Sequence, residues 1–156
     1  MNLILVRHAK TEQESKDGSD FSRELKKRGV NQCATLNTFL KSLVLDRVKV
    51  LCSSSTRTVK TYELAVENLA IDKCLFTKNL YLPFMKDILK EINVQNHQGD
   101  LIVIGHNYSL SELLFYLTGE NITMKTGSLA LIEFSCLNSS QISGDTGRLL
   151  QYFEAD

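Results

Sequence analysis

The chain has 156 residues, 43% of them hydrophobic and 23% charged, and its 18 Lys and Arg residues balance its 18 Asp and Glu residues. This composition is typical of one folded domain over residues 1–156 and excludes a disordered chain, and zero net charge argues against nucleic-acid binding. Because no apolar run is long enough for a membrane span or a signal peptide, and the four cysteines form no C-x-x-C pair, we expect a cytoplasmic protein without a membrane partner.

The first half of the chain alternates strand-like and helix-like segments. A predicted strand over residues 1–6 ends directly at Arg7 and His8. After a polar loop, apolar residues at helical spacing predict a helix over about 26–43. A second strand follows over 48–52, and its β-branched and apolar residues indicate that it is buried.

The second half continues the same alternation. Hydroxyl side chains at 53–56 can cap a helix, which we expect to reach about Leu69. The remaining predicted segments are a strand over 74–77, a helix from Pro83 to 92, a strand over 101–104, a helix over 109–117 closed by Gly119, and strands over 128–134 and 148–153. This order predicts an α/β fold, a three-layer sandwich in which helices flank both faces of a mostly parallel sheet.

Charged side chains follow three of the predicted strands. Arg7 and His8 end the first, Arg57 lies in the first turn of the helix after the second, and His106 follows the strand over 101–104. Ligands of open parallel sheets bind at the carboxyl ends of strands, and helix N-termini attract anions. Since arginine makes permanent, bidentate contacts to phosphate oxygens, the sequence predicts a phosphoryl pocket, to which the loop before the first long helix can add Arg23.

The two histidines suit phosphoryl chemistry. A neutral imidazole can attack phosphorus, and neighbouring guanidinium charges should lower the pKa of His8 and keep it unprotonated. His106 can donate a hydrogen bond to a phosphoryl oxygen in the transition state. A zinc site on His8 and His106 is an alternative, but it needs a third ligand, and His97 lies in a polar loop away from any strand end.

Four short motifs resemble those of one family. Residues 5–10, L-V-R-H-A-K, resemble the R-H-G/A signature of the histidine phosphatase superfamily, whose fold is that of phosphoglycerate mutase. Residues 53–61 are similar to its S-x-x-x-R-A-x-Q-T segment, 104–107 to its G-H-N motif, and 23–29 to its R-P-L-x-x-x-G segment. The short chain and the R-H-A-K form point to the phosphohistidine phosphatase (SixA-type) branch.

The resemblance implies a role for each matched residue. His8 matches the nucleophile, which is transiently phosphorylated and then hydrolysed, and Arg7, Arg57 and His106 match the rest of the phosphate pocket. Arg23 matches an arginine near the pocket mouth. No metal or other cofactor is implied, because permanent cationic groups already neutralise the phosphoryl oxygens.

Two positions are less clearly matched. Asn107, beside His106, is expected to orient the loop or the ring at the substrate-binding edge. Relatives that act on phosphate esters carry an acidic residue in the middle of the chain, but 79–85 contains no carboxylate. A phosphohistidine P–N bond can break without such an acid once its ring nitrogen is protonated, so the gap favours phosphohistidine. Glu12, in the loop after His8, is the remaining candidate for the acid.

These observations predict a metal-independent phosphatase that removes phosphate from phosphohistidine on a protein partner, and whose pocket also accepts free phosphate or sulfate. One alternative is a phosphatase of small phosphoesters or phosphoramidates, with the same pocket and another leaving group. A second is a non-catalytic module that binds phosphate or phosphohistidine. Comparing the cleavage of P–N and ester substrates distinguishes the three.

Overall fold

Six strands and four α-helices account for most of the chain, and the computed structural model describes all 156 residues. The strands are β1 (Asn2–Arg7), β2 (Val48–Ser53), β3 (Ile71–Thr77), β4 (Leu101–Gly105), β5 (Ser128–Phe134) and β6 (Gly147–Glu154). The helices are α1 (Lys27–Ser42), α2 (Thr56–Ala65), α3 (Met85–Val94) and α4 (Ser109–Thr118). Two short 3₁₀ turns occupy Lys78–Leu80 and Ser139–Gln141.

The strands form one sheet in the order β3-β2-β4-β1-β5-β6. The four strands from β3 to β1 are parallel, whereas β5 runs antiparallel to β1 and β6 antiparallel to β5. The predicted α/β class is therefore confirmed, and the sheet is mixed, with its antiparallel pairs along one side. This arrangement places the carboxyl ends of β2, β4 and β1 next to one another.

Alternate residues of β1 show how the sheet divides the core into two layers. Leu3 and Leu5 pack in a cluster with the apolar residues of α3 and α4. Ile4 and Val6 pack in a second cluster with residues of α1 and α2. Because successive side chains of a strand point to opposite faces, a central strand that is buried on both sides reads as a continuous apolar run. The predicted helix cover on both faces is confirmed.

Two helix boundaries differ from the predictions, and a side-chain hydrogen bond accounts for each. Helix α2 ends at Ala65 rather than near Leu69, because the Asn37 side chain donates hydrogen bonds to the carbonyl oxygens of Ala65 and Glu67. Helix α3 begins at Met85 rather than at Pro83, with Phe84 as its extended N-cap residue. The Asp87 carboxylate accepts the backbone N–H of Phe84 at 3.0 Å and so fixes that start.

A close backbone contact holds the segment after His8 against the start of α1. The Lys26 N–H donates to the Lys10 carbonyl oxygen at 2.9 Å. A Cβ atom at Gly29 would lie 2.1 Å from the same oxygen, so only glycine allows this approach. The structure therefore explains why a glycine, Gly29, ends the fourth motif: it allows close backbone packing beside the predicted pocket.

None of the four helices combines the length and the apolar character that crossing a bilayer requires.

Candidate active site

The carboxyl ends of three adjacent parallel strands bring the predicted site residues together. Arg7 of β1 pairs in register with Gly105 of β4, and the N–H of His8 donates to the Gly105 carbonyl oxygen at 3.1 Å. His106 follows immediately, so the two histidines stand side by side with their ring centroids 5.3 Å apart. On the other side of β4, β2 leads into α2, whose second residue is Arg57.

The strand ends border a cavity of about 410 Å³ that is lined by polar residues and one leucine. Its lining residues are Arg7, His8, Lys10, Thr11, Gln13, Asp20, Arg23, Lys26, Arg57, Leu82, His106, Asn107 and Thr126. Five of these side chains are arginine or lysine, and one is a carboxylate. A cavity with this excess of cationic side chains is suited to an anion rather than to an apolar ligand.

His8 is held in one tautomer. Its Nδ1 lies 2.9 Å from the Ala9 carbonyl oxygen, and because a carbonyl can only accept, Nδ1 carries the proton and Nε2 carries the free electron pair. The ring is 7% exposed. Burial lowers its pKa to about 3; the hydrogen bond to Ala9 opposes this shift and the charges of Arg57 and Arg7 add to it. The predicted direction is reproduced, with burial rather than guanidinium charge as the main cause.

His106 is buried more deeply, with 2% of its surface exposed. Its Nε2 lies 2.8 Å from the Ser53 hydroxyl, and its Nδ1 has no hydrogen-bond partner. Burial and then the neighbouring His8 and Arg57 lower its pKa to about 3. Both rings are therefore neutral at pH 7. Sequence reasoning does not identify Ser53 as the partner of His106, although its place at the end of β2 puts it at the same sheet edge.

Arg7 and Asn107 meet at one backbone carbonyl. Arg7 Nη1 donates to the Met124 oxygen at 2.7 Å, and Asn107 Nδ2 donates to the same oxygen at 3.1 Å. The Asn107 carboxamide oxygen accepts the N–H and hydroxyl of Ser111 in the first turn of α4. Burial lowers the pKa of Arg7, and its Nε has no hydrogen-bond partner. Asn107 thus lines the cavity while its side chain ties the loop to α4.

Asp20 connects the other two arginines. Arg57, 3% exposed, donates from Nη1 to the Asp20 carbonyl oxygen at 2.7 Å and from Nη2 to its carboxylate at 3.0 Å. Arg23 donates to the other carboxylate oxygen at 2.9 Å, and the Tyr81 hydroxyl donates to the oxygen shared with Arg57 at 2.7 Å. The Tyr81 ring packs edge-on against His106. Sequence reasoning missed Asp20; its only signal was its place three residues before Arg23.

The remaining predicted residues lie elsewhere. The Glu12 side chain is exposed and does not line the cavity, although its backbone carbonyl accepts Arg23 Nε at 2.8 Å. The structure thus does not place Glu12 where an acid could reach the leaving group. His97 contacts the Arg47 carbonyl oxygen through Nε2, away from the cavity. No group of three His, Cys, Asp or Glu side chains is arranged to hold a metal ion.

The two neutral histidines predict a pH-dependent stability. Their folded-state pKa of about 3 lies below the ordinary 6.5, so the unfolded chain binds more protons and stability falls as the pH drops below about 6.5. Between pH 6.5 and 5, we expect the free energy of unfolding to fall by up to about 2 kcal/mol for each histidine. Urea denaturation measured across this range tests the effect.

The His8→Asn variant supplies the control for this measurement. It should lose the share of the pH dependence that belongs to His8 and keep the share that belongs to His106. A wild-type profile that stays flat from pH 6.5 to 5 would contradict the neutral, buried state of the pair.

Comparisons with known proteins agree with the predicted family resemblance and with the fold. Residues 3–78 match the family model of the histidine phosphatase superfamily, branch 1. This range contains three of the four motifs and the residues Arg7, His8, Arg23 and Arg57. No curated protein matches the sequence.

Three solved structures have similar folds. A protein from Nakamurella multipartitia assigned as the phosphohistidine phosphatase SixA is 19% identical, with a TM-score of 0.86 over 98% of this chain and 95% of its own. The protein histidine phosphatase SixA solved with tungstate is 18% identical, with a TM-score of 0.81 over 99% and 97%. A phosphoserine phosphatase mutant from Entamoeba histolytica, bound to phosphoserine, is 12% identical, with a TM-score of 0.68 over 99% and 98%.

The fold is therefore the α/β fold of SixA-type proteins, with a polar, cationic cavity at its parallel strand ends. The resemblance to the histidine phosphatase superfamily that the motifs predicted is confirmed, and the family match and the fold together support a phosphatase.

Proposed function

We propose that residues 1–156 form a single histidine phosphatase domain that removes phosphate from phosphohistidine on a protein, without a metal, through a phosphorylated His8. The observation that carries this proposal is the state of His8. The ring is buried and neutral, its Nδ1 proton is bound to the Ala9 carbonyl, and its Nε2 electron pair remains for attack on phosphorus. Arg7, Arg23 and Arg57 line the same cavity and can bind the phosphoryl oxygens.

The reaction has two steps. The His8 Nε2 attacks phosphorus, a new N–P bond forms, and the bond to the substrate imidazole breaks. The departing ring, already protonated at its other nitrogen, takes the electron pair of the broken bond and leaves as neutral imidazole. Water then attacks phosphorus, the bond to His8 breaks, and inorganic phosphate is released. Both steps put negative charge on the phosphoryl oxygens, and the fixed guanidinium groups neutralise it without a metal ion.

The contacts of Ser53 are compatible with a proton on Nδ1 of His106. The Ser53 oxygen lies 3.5 Å from the N–H of Ser55, which can only donate to it. The Ser53 hydroxyl is then free to donate to His106 Nε2, 2.8 Å away. In this tautomer the ring proton lies on Nδ1, which has no partner within the protein and can donate to a phosphoryl oxygen.

The carboxylate content of the cavity favours a P–N substrate. Asp20 is the one carboxylate in its wall. Burial acts to raise its pKa, but hydrogen bonds from Tyr81, Arg23 and Arg57 outweigh burial and hold the pKa well below its ordinary value. Asp20 is therefore ionised at neutral pH and cannot supply a proton to an ester oxygen. A phosphohistidine needs no such donor, because the ring nitrogen that is not bonded to phosphorus takes a proton from solvent before the P–N bond breaks.

The test compares phosphate release from a phosphohistidine-bearing protein and from an aryl phosphate ester, each with a metal chelator present. Since general acid catalysis contributes about 10²- to 10⁴-fold, we expect kcat/KM for the P–N substrate to exceed that for the ester by about 100-fold or more. Equal cleavage of the ester would favour the small-molecule phosphatase. Binding of phosphate without turnover of either substrate would favour the non-catalytic module.

Binding of an oxyanion alone is a simpler expectation of the same proposal. The similar SixA structure was solved with tungstate, an oxyanion like phosphate, which supports an oxyanion site in this chain. Phosphate or sulfate should therefore bind in the cavity of this chain.

A further inference from the structure

Asp20 offers its carboxylate to the same donors that a phosphoryl group would need. One oxygen accepts Arg23 Nη1 at 2.9 Å, and the other accepts Arg57 Nη2 at 3.0 Å. Two oxygens of one anion thus contact two guanidinium groups in the cavity wall. A phosphate placed there competes with the carboxylate for those N–H groups and is repelled by its charge.

We propose that Asp20 is an internal competitor for the phosphoryl site, which weakens the hold of the pocket on inorganic phosphate and so favours release of the product. The inference rests on the proposed function, because it assigns Asp20 a part in the same anion site. Without Asp20, the wall would present five cationic side chains and no carboxylate to the phosphate that the second step leaves behind.

The contacts of Asp20 allow the carboxylate to leave while Arg57 stays in place. Arg57 Nη1 donates to the Asp20 backbone carbonyl at 2.7 Å, a contact that does not depend on the carboxylate. The Asp20 side chain is 42% exposed, so it can turn toward water. The Tyr81 hydroxyl, 2.7 Å from one carboxylate oxygen, is a further partner at the edge of the cavity.

A purely structural role for Asp20 predicts the opposite effect of its removal. If the carboxylate served only to position Arg23 and Arg57, an uncharged residue there would leave both arginines less ordered, and phosphate would bind more weakly. If the carboxylate competes with phosphate, the uncharged residue frees two donors and removes a repulsive charge. The sign of the change in phosphate affinity therefore separates the two roles.

The test is isothermal titration calorimetry of the full chain with inorganic phosphate. We expect Asp20→Asn to bind phosphate about tenfold more tightly than the wild type, and phosphate to become a correspondingly stronger product inhibitor. The matched control is Asp46→Asn, which also removes one negative charge from an Asp–Arg pair, here with Arg47. Asp46 precedes β2 and lies at the opposite end of the strand from the cavity. The phosphate affinity of Asp46→Asn should therefore stay within about twofold of the wild type.

A second variant, Asp20→Ser, guards against a local effect of the asparagine amide, and thermal unfolding of each variant verifies that it is folded. Unchanged or weaker phosphate binding in both Asp20 variants would overturn the inference. The proposed function would stand in that case, provided that the wild type binds phosphate and hydrolyses the phosphohistidine substrate. Failure of the wild type itself to bind phosphate would overturn both.

Discussion

Replacing His8 with asparagine is expected to lower kcat for a phosphohistidine substrate by at least about 10⁴-fold, because the reaction loses the atom that forms the bond to phosphorus. Asparagine is the informative replacement, since its amide nitrogen can still donate to the Ala9 carbonyl that Nδ1 contacts. The arginines that line the cavity are untouched, so phosphate should still bind. The variant therefore separates covalent chemistry from anion binding.

The intermediate itself can be measured. Wild type mixed with a ³²P-labelled phosphohistidine protein and denatured in alkali, where phosphohistidine survives, should carry label, and His8→Asn should carry none. The matched control is His97→Asn, which changes a histidine that contacts the Arg47 carbonyl outside the cavity and should keep wild-type labelling. Turnover by His8→Asn within tenfold of the wild type would remove His8 from the nucleophile's role.

The sequence predicts well those strands and helices whose positions follow from the pattern of apolar residues along the chain. Strand β5 spans Ser128–Phe134 as predicted, and β1 and β4 each end one residue beyond their apolar runs, at Arg7 and Gly105. Because β1 and β4 are neighbours in the sheet, their ends necessarily bring Arg7, His8 and His106 together. The motifs and the strand pattern therefore predict the edge of the sheet at which the cavity lies.

The parts that sequence does not predict depend on contacts between segments far apart in the chain. The end of α2 is set by the Asn37 side chain on α1, which no local pattern in α2 records. Asp20 and Tyr81 meet across 61 residues, and the loop that carries Asp20 has no periodicity from which its direction could be read. Glu12 is close to His8 in the sequence, which makes it a candidate for the acid. In the structure, however, the carboxylate that lines the cavity belongs to Asp20.

Arg57→Lys is expected to lower kcat/KM by about 10²- to 10³-fold, although the charge is kept. Arg57 is 3% exposed and uses two nitrogens of one planar group, Nη1 on the Asp20 carbonyl and Nη2 on its carboxylate. Lysine supplies one ammonium on a flexible stem, so it cannot hold that backbone contact and face a phosphoryl oxygen together. The free-energy cost of desolvation in this buried position is also larger for lysine, since an ammonium is more strongly hydrated than a guanidinium.

The values of kcat and kcat/KM for Arg57→Lys distinguish a role that depends on the geometry of the guanidinium group from one that depends only on its charge. If Arg57 must hold the Asp20 carbonyl and face a phosphoryl oxygen of the transition state at the same time, kcat falls in Arg57→Lys and raising the substrate concentration does not restore the rate. If it supplies only positive charge, the lysine retains near-wild-type kcat and kcat/KM, and this result would contradict the assignment. Arg148→Lys is the matched control, because Arg148 pairs with Glu133 on the exposed surface of the sheet edge and should change neither parameter.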